Sequence, residues 1–287
     1  MRPVPMSPIR RLLMAWFDDR RYSPYVSVNV AVPFTPMRDY LDALRERTGA
    51  RVSVQALLIA AIARLYVDFP QANARIVGGQ IFQPPGVGVA APVNLIGHEG
   101  EERMPLSMMV VENAERLSLR EVAEANSRGI QGERGGSPKN PFVKMMLEIS
   151  EKAPLTALRG AVEALYRFHD SPAMVALSWR VAPASVGISN VGATFGGKAR
   201  GVLFRGGSIS LPTRPVHVGS LFGVAAVQDE VVPVDGVPAV RPMLPLLYVF
   251  DHRLFDGYLA SRILLRLGEI LADPAAEFGP DGDQVRR

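Results

Sequence analysis

The residues whose side chains are best suited to catalysis lie in one short run, residues 251–257, with the sequence Asp-His-Arg-Leu-Phe-Asp-Gly. A long apolar segment, Val240 to Phe250, precedes this run, and a helical apolar pattern follows it. A histidine at such a strand-to-helix junction is held by a rigid frame and can reach into a cleft, where an imidazole suits a general base. The residue types alone leave two interpretations open. His252 is a general base, or it is a structural histidine held by Asp251 or Asp256.

The periodicity of apolar residues predicts the elements that must position this run. Apolar residues alternate from Tyr25 to Val32, which indicates a half-buried strand. Asp256 is well placed to be the N-cap of the last helix. Further strands are predicted at residues 75–82, 87–93 and 104–111 and over most of the chain after Ser185; further helices are predicted at residues 9–18, from the cap Thr35 to Gly49, from the cap Ser53 to Tyr66, after the cap Ser118, and at residues 141–168. Helices scattered over a mainly antiparallel or mixed sheet indicate an α/β (α+β) sandwich.

Four short motifs occur in the same order as in a known enzyme family. Residues 251–257 resemble the Asp-His-Arg-x-x-Asp-Gly signature of dihydrolipoamide acyltransferase catalytic domains, the acyl-transferring subunits of 2-oxo acid dehydrogenase complexes. They also resemble the His-x-x-x-Asp-Gly pattern of the chloramphenicol acetyltransferase superfamily. The other motifs are Met-Ser-Pro-Ile-Arg-Arg at residues 6–11, Phe-Pro-Gln-Ala-Asn-Ala at 69–74 and Ile-Ser-Asn-Val-Gly at 188–192. The histidine motif is the specific one.

The resemblance implies a division of roles within the candidate catalytic set. His252 would deprotonate an attacking thiol, and the hydroxyl of Ser189 would donate a hydrogen bond to the oxyanion of the tetrahedral intermediate, with no covalent acyl-enzyme. Asp256 belongs to the set as a positioning group, because the family pairs this acid with an arginine near the start of the domain. Arg10 and Arg11 both match that region. Apart from the resemblance, Ser189 fits a turn serine and Asp256 fits a plain N-cap.

The remaining motif residues are assigned to the frame of the site. Asp251 and Arg253 flank the histidine as local framework, and Asn190 and Gly257 are expected to support the site from within their motifs. The resemblance also implies the chloramphenicol-acetyltransferase-like fold, with a mixed sheet flanked by helices, and coenzyme A as a substrate. It further implies a homotrimer whose active sites lie between subunits, so that the histidine and the serine come from neighbouring chains.

The composition favours a globular cytoplasmic protein without a nucleic-acid or membrane partner. Apolar residues make up 48% and charged residues 21% of the chain, which are ordinary globular values. The absence of cysteine excludes disulfides, thiolate metal sites and a cysteine nucleophile. The net charge of +4 comes from scattered arginines, whereas polyanion binding usually needs a basic cluster. No metal is expected, because His98, His169 and His217 lack ligand-like spacing and are interpreted as surface or satisfied histidines.

The whole chain, residues 1–287, is predicted to be one acyltransferase-like catalytic domain. It has an N-terminal arm at residues 1–8, an enlarged helical insertion at about residues 129–180 and a polar tail at residues 275–287. The insertion is expected to act as a lid or docking surface, or else to add packing. No lipoyl domain precedes the motifs, so a lipoyl group is expected only in trans. The tail lacks the apolar end that joins family trimers into shells, which predicts an isolated trimer.

The predicted function is therefore acyl transfer between a thioester and a thiol, with acyl-coenzyme A and a lipoyl or acyl carrier protein as partners. Two alternatives stay open. One is a non-catalytic, acyltransferase-like scaffold in a multienzyme complex, and the other is an O- or N-acyltransferase of the same superfamily. The presence of both His252 and Ser189 favours an enzyme, because a scaffold needs neither side chain.

Overall fold

Two sheets and a layer of helices make up the computed structural model, which describes residues 1–5, 23–98, 106–135, 144, 148–149, 153–168, 171–195, 201–209, 211 and 217–285. The strands are β1 (Arg2–Pro3), β2 (Tyr25–Pro33), β3 (Arg75–Val77), β4 (Gln80–Gln83), β5 (Val89–Asn94), β6 (Leu106–Val111), β7 (Val186–Asn190), β8 (Ser220–Val224), β9 (Gln228–Val234) and β10 (Val237–Asp251). The helices are α1 (Thr35–Thr48), α2 (Val54–Asp68), α3 (Leu119–Glu133), α4 (Leu155–Phe168), α5 (Pro172–Val181), α6 (Gly257–Ala272) and α7 (Pro274–Phe278). In this described part, no helix has the length and apolar character needed to cross a membrane.

The larger sheet is mixed and has the order β2-β10-β8-β7-β5-β6, with β9 paired to the first half of β10. Strand β7 runs parallel to both β5 and β8, and the other neighbours are antiparallel. The smaller sheet has the order β1-β4-β3. The predicted mixed sheet flanked by helices is confirmed.

Helix α2 forms the centre of the helical layer. Every residue from Ala56 to Tyr66 is buried, as an apolar pattern around the whole helix predicts. One cross-strand row of the larger sheet faces the main hydrophobic core. It consists of Ile188, Phe222 and Tyr248. The rings of Phe222 and Tyr248 stack with centroids 4.5 Å apart.

Three predicted helix caps are confirmed, and the fourth is wrong. The side chains of Ser53, Ser118 and Asp256 accept hydrogen bonds from the first turns of α2, α3 and α6, and Ser118 forms a full capping box. The N-cap of α1 is Phe34 rather than Thr35, and its side chain makes no capping bond. The backbone N–H of Phe34 instead donates to the carbonyl of Pro242 at 3.0 Å, so pairing with β10 fixes where this helix begins.

The strand predicted at residues 75–82 is a hairpin. Gly78 and Gly79, with φ of 58° and 69°, form the turn between β3 and β4. Glycine adopts positive φ at little cost, so two successive glycines favour a tight turn over a continuous strand. The helix predicted at residues 9–18 lies outside the described residues.

Helix α5 and the carboxyl-terminal segment both contact the rest of the described chain. Arg75 of β3 donates to the carbonyls of Ser178 at 3.3 Å and Ala182 at 2.8 Å, which holds the end of α5. After α6, the side chain of Phe278 is fully buried beneath Arg64 of α2. The polar tail is thus packed on the helical layer at least as far as Gln284, whose carbonyl accepts from Arg64.

Candidate active site

His252 lies on a tight turn between the end of β10 and the start of α6. The carboxylate of Asp251 accepts a hydrogen bond from the backbone N–H of Arg253 at 2.9 Å, which closes an Asx-type turn around the histidine. The guanidinium of Arg253 holds the same carboxylate through Nε and Nη2, at 3.0 and 2.7 Å. The backbone N–H of His252 donates to the carbonyl of Pro24. The histidine backbone is therefore fixed on both sides.

A second histidine, His217, completes this turn from elsewhere in the chain. Its Nε2 lies 2.8 Å from Oδ2 of Asp251, and its Nδ1 accepts the backbone N–H of Ile76 at 3.0 Å. Because Nδ1 is an acceptor, the ring is neutral and its Nε2–H donates to the carboxylate. Burial lowers the pKa of His217, against the opposing effect of Asp251. Burial alone would raise the pKa of Asp251, but hydrogen bonds from His217 and Arg253 hold it at about 2.

Asp256 caps α6 and lies on the surface four residues after His252. Its Oδ1 accepts the backbone N–H of Leu259 at 3.2 Å. Its expected arginine partner, Arg10 or Arg11, lies outside the described residues. Gly257 begins the helix, and an added Cβ there would meet no atom within 4 Å.

Ser189 lies on β7, on the sheet face opposite the core. It is level with Gly223 of β8 and with Leu247 of β10, and side chains directly opposite one another on paired strands share a face. Ser189 lines a cavity of about 400 Å³ with Leu247 and with Phe204, Arg205 and Gly207 from the segment 201–209. Asn190 follows and accepts the backbone N–H of Ala193 at 3.1 Å, so it shapes the turn after the serine.

Two side-chain amides hold the segment 201–209 over this cavity. Asn29 exchanges two hydrogen bonds with the backbone of Gly207, at 2.9 and 3.2 Å. Gln228 exchanges two more with the backbone of Phe204, at 2.8 and 3.2 Å. Each amide imitates a strand neighbour, so the segment covers the serine side of the sheet although it contains no regular strand.

The upstream motif at residues 69–74 supports the strand that carries Ser189. Its buried Asn73 donates to the carbonyl of Gly86 at 3.2 Å and accepts a hydrogen bond from the hydroxyl of Ser185. Ser185 directly precedes β7. This motif therefore has a structural role, which is to fix the start of β7 relative to the loop before β5.

One copy of the chain does not bring Ser189 and His252 together. Leu247, which is level with the serine, is five residues (252 − 247) before the histidine on β10. That separation corresponds to about 17 Å along the strand, with about 10 Å more across two strand spacings. The two residues also differ in face, because the ring of His252 continues the core-side aromatic row with its centroid 6.1 Å from that of Phe250.

His217 contacts the candidate site, although its sequence context indicated only a surface or satisfied histidine. It is indeed satisfied, but its partner is the residue next to His252, 34 positions away. No local pattern connects the two positions, and the signal that could have singled it out is the scarcity of histidine, with four in the chain. Among the described residues, no group of three or more His, Asp or Glu side chains could hold a metal ion.

Comparison with known proteins identifies relatives of the carboxyl-terminal region most clearly. Residues 214–278 match the family model of the 2-oxoacid dehydrogenases acyltransferase (catalytic domain). A dihydrolipoyllysine-residue succinyltransferase component of the 2-oxoglutarate dehydrogenase complex from Bartonella vinsonii subsp. berkhoffii is 36% identical over 69 residues, which are 24% of this chain and 17% of that protein. The component of the same name from Cupriavidus necator is 23% identical over 95% of this chain. The chain spans about half of that relative's length, 53%.

A solved structure shares the fold. The dihydrolipoamide acetyltransferase of Azotobacter vinelandii aligns with a TM-score of 0.59 and 21% identity, covering 96% of this chain and 93% of that one. That structure was determined to examine the role of a serine, a histidine and an asparagine in the catalytic mechanism of the Azotobacter enzyme. The fold expected from the sequence resemblance is therefore confirmed.

Proposed function

Because this chain is a relative of the 2-oxoacid dehydrogenase acyltransferases through their catalytic domain, we propose that it transfers an acyl group between a thioester and a thiol. The single observation that carries the proposal is the turn at His252. Its neighbours Asp251 and Arg253 form a buried ion pair, while the imidazole itself is only partly buried. A rigid turn that presents one accessible imidazole is suited to general-base catalysis.

The proposed reaction uses two side chains and no covalent enzyme intermediate. His252 removes the proton from the acceptor thiol, and the resulting thiolate attacks the thioester carbonyl carbon. The hydroxyl of Ser189 donates a hydrogen bond to the oxyanion of the tetrahedral intermediate. The carbon–sulfur bond of the donor then breaks, and the imidazolium returns the proton to the departing thiolate. One thioester and one thiol are consumed and one of each is formed.

The separation of Ser189 and His252 within one chain supports a site shared between two copies. A gap of about 17 Å along the sheet is too long for two groups that must both reach one carbonyl. A cyclic trimer provides the heterologous contact in which one face of each copy meets a different face of the next. We therefore propose a homotrimer in which His252 of one copy acts with Ser189 of its neighbour.

The proposed substrates are acyl-coenzyme A and a thiol on a lipoyl or acyl carrier protein supplied in trans. The relatives from Bartonella and Cupriavidus are named for succinyl transfer to a dihydrolipoyllysine residue, which makes a succinyl group the first to test. Arg205, which lines the cavity beside Ser189, offers a positive charge that suits an acyl group with a terminal carboxylate.

The test is thioester exchange by the purified protein. Acetyl-, propionyl- and succinyl-coenzyme A are offered with free dihydrolipoamide, and the products are followed by mass spectrometry. His252→Ala is expected to lose transfer by roughly 10²-fold or more, as for a positioned general base. His98→Ala is the matched control, because His98 is exposed and lies outside the site. Equal activity of the two variants would contradict the proposal.

A non-catalytic assembly role is the second candidate function. Large apolar side chains are exposed on the insertion helices, including Leu155, Phe168 and Leu177, and exposed apolar patches mark interaction surfaces. A folded trimer that transfers no acyl group from any donor to dihydrolipoamide or to a carrier protein would favour this role over catalysis.

A further inference from the structure

We propose that His217 is a positioning residue for His252 and acts through the carboxylate of Asp251. The proposal rests on the proposed function of His252 as the general base. His217 does not touch the reacting atoms in this account. It holds the turn that carries the base.

Both ring nitrogens of His217 are used, and each has a different task. The ring is fully buried. Its Nδ1 accepts the backbone N–H of Ile76 at 3.0 Å, and its Nε2–H donates to Asp251 at 2.8 Å. The first bond orients the ring and fixes its tautomer. The second bond carries that orientation to the residue directly before His252.

The hydrogen bond from His217 differs in kind from the others that Asp251 accepts. The backbone N–H and the guanidinium of Arg253 also donate to this carboxylate, but Arg253 belongs to the same turn. The turn could therefore shift as a unit without breaking those bonds. Among the described residues, His217 is the only donor to the carboxylate from outside the turn. It ties the turn to β3 of the smaller sheet through Ile76.

Burial, more than the surrounding charges, favours the neutral ring that this role needs. Arg75 and Arg253 both oppose a positive charge on His217, and Asp251 favours one. Arg75 precedes Ile76 on β3 and holds the end of α5, with its guanidinium 5.8 Å from the ring of Trp179. The strand that anchors His217 is thus itself anchored to the insertion. A rigid frame extends from α5 through β3 and His217 to the catalytic turn.

Two substitutions separate the two bonds of His217. Asparagine at this position can still accept the N–H of Ile76 but is too short to reach Asp251. Glutamine can still donate to Asp251 but lacks an acceptor where Nδ1 lies. His217→Asn and His217→Gln each lose one hydrogen bond, so they form a matched pair for stability. A role through Asp251 predicts the larger loss in the asparagine variant, because the glutamine variant keeps the bond to the carboxylate and loses only the bond that orients the side chain.

The kinetic expectation follows from misplacement of the base. We expect His217→Asn to lower kcat by roughly 10-fold to 10²-fold, with KM changed less than about 3-fold, because small displacements of a catalytic group cost rate rather than binding. His217→Gln should stay within about 3-fold of the parent chain. Thermal unfolding of both variants shows whether they are matched. Equal losses of kcat in the two variants, or no loss in the asparagine variant, would overturn the proposal.

A second readout does not depend on acyl transfer. The chain has four histidines, so selective labelling of histidine ring carbons gives few NMR signals, and His252→Ala identifies the one from His252. We expect this signal to shift more in His217→Asn than in His217→Gln, and to stay in place in the exposed-residue control His98→Asn. An unmoved signal in His217→Asn would overturn the positioning role. If the parent chain transfers no acyl group, the proposed function fails while this spectrum still decides the role of His217.

Discussion

At the scale of single residues, the contribution of the Ser189 hydroxyl can be separated from that of the cavity that it lines. Substitution of Ser189 by alanine should lower kcat by roughly 10²-fold with little change in KM, because one oxyanion donor is lost and substrate binding is not. Ser208→Ala is the matched control, since Ser208 lines the same cavity. Initial rates of thioester exchange give both parameters. Similar losses in the two variants would show that the cavity, not the hydroxyl of Ser189, matters.

The buried His217 should also affect how stability depends on pH. Burial lowers its pKa, so the unfolded chain binds a proton at a pH where the folded chain does not. This contribution to the free energy of unfolding is present above the ordinary histidine pKa of about 6.5. It falls as the pH drops below that value, by up to about 1.4 kcal/mol per pH unit.

Urea unfolding from about pH 7.5 to about pH 5.5 measures this dependence. His217→Gln should remove this part of the slope, because glutamine does not titrate, whereas His98→Gln should leave the slope of the parent chain. The same slope in all three proteins would contradict a neutral, buried His217.

Residue chemistry predicted part of the site and missed the rest for a physical reason. The N-cap role of Asp256 and the framework role of Asp251 and Arg253 could be inferred because their partners lie within three residues. The bonds that His217 makes to Asp251 and to Ile76 of β3 could not be inferred, because burial and long-range pairing leave no local pattern.

At the scale of elements, the glycine of the serine motif, Gly192, and the glycine of the histidine motif, Gly257, should differ in how much an alanine substitution changes stability. An added Cβ at Gly192, three residues after Ser189, would collide with the backbone of Ala225 before β9, whereas Gly257 at the start of α6 has open space. Gly192→Ala is therefore expected to cost about 1–3 kcal/mol of stability and to lower activity by displacing the turn. Gly257→Ala should leave the free energy of unfolding unchanged or raise it by at most about 1 kcal/mol. Urea unfolding of the two variants distinguishes them, and equal costs would contradict this assignment.

Periodicity was a good guide to elements whose sequence pattern and environment agree. The alternation in β2 and the all-round apolar pattern of α2 match their half-buried and buried positions. The hairpin of β3 and β4 was missed because apolar residues occur on both sides of Gly78 and Gly79, so that one continuous strand was predicted across the turn. The cap of α1 was misplaced because a contact with β10, not a side-chain bond, sets the first helical residue.

At the scale of the whole molecule, strand order decides which residues can meet. The order β10-β8-β7 and its registers separate Ser189 from His252, and neither motif contains that information. From the sequence, active sites between subunits were expected only because the family resemblance implied them. The geometry of one chain now provides an independent reason for the proposal.

The most direct test of the shared site is complementation between two inactive chains. His252→Ala and Ser189→Ala chains carrying different tags are co-expressed, and assemblies that retain both tags are purified. Every mixed cyclic trimer contains one interface with an intact histidine and an intact serine, so about one third of the parent activity should return. Activity no higher than that of either variant alone, from mixed trimers of confirmed composition, would contradict a site built from two copies.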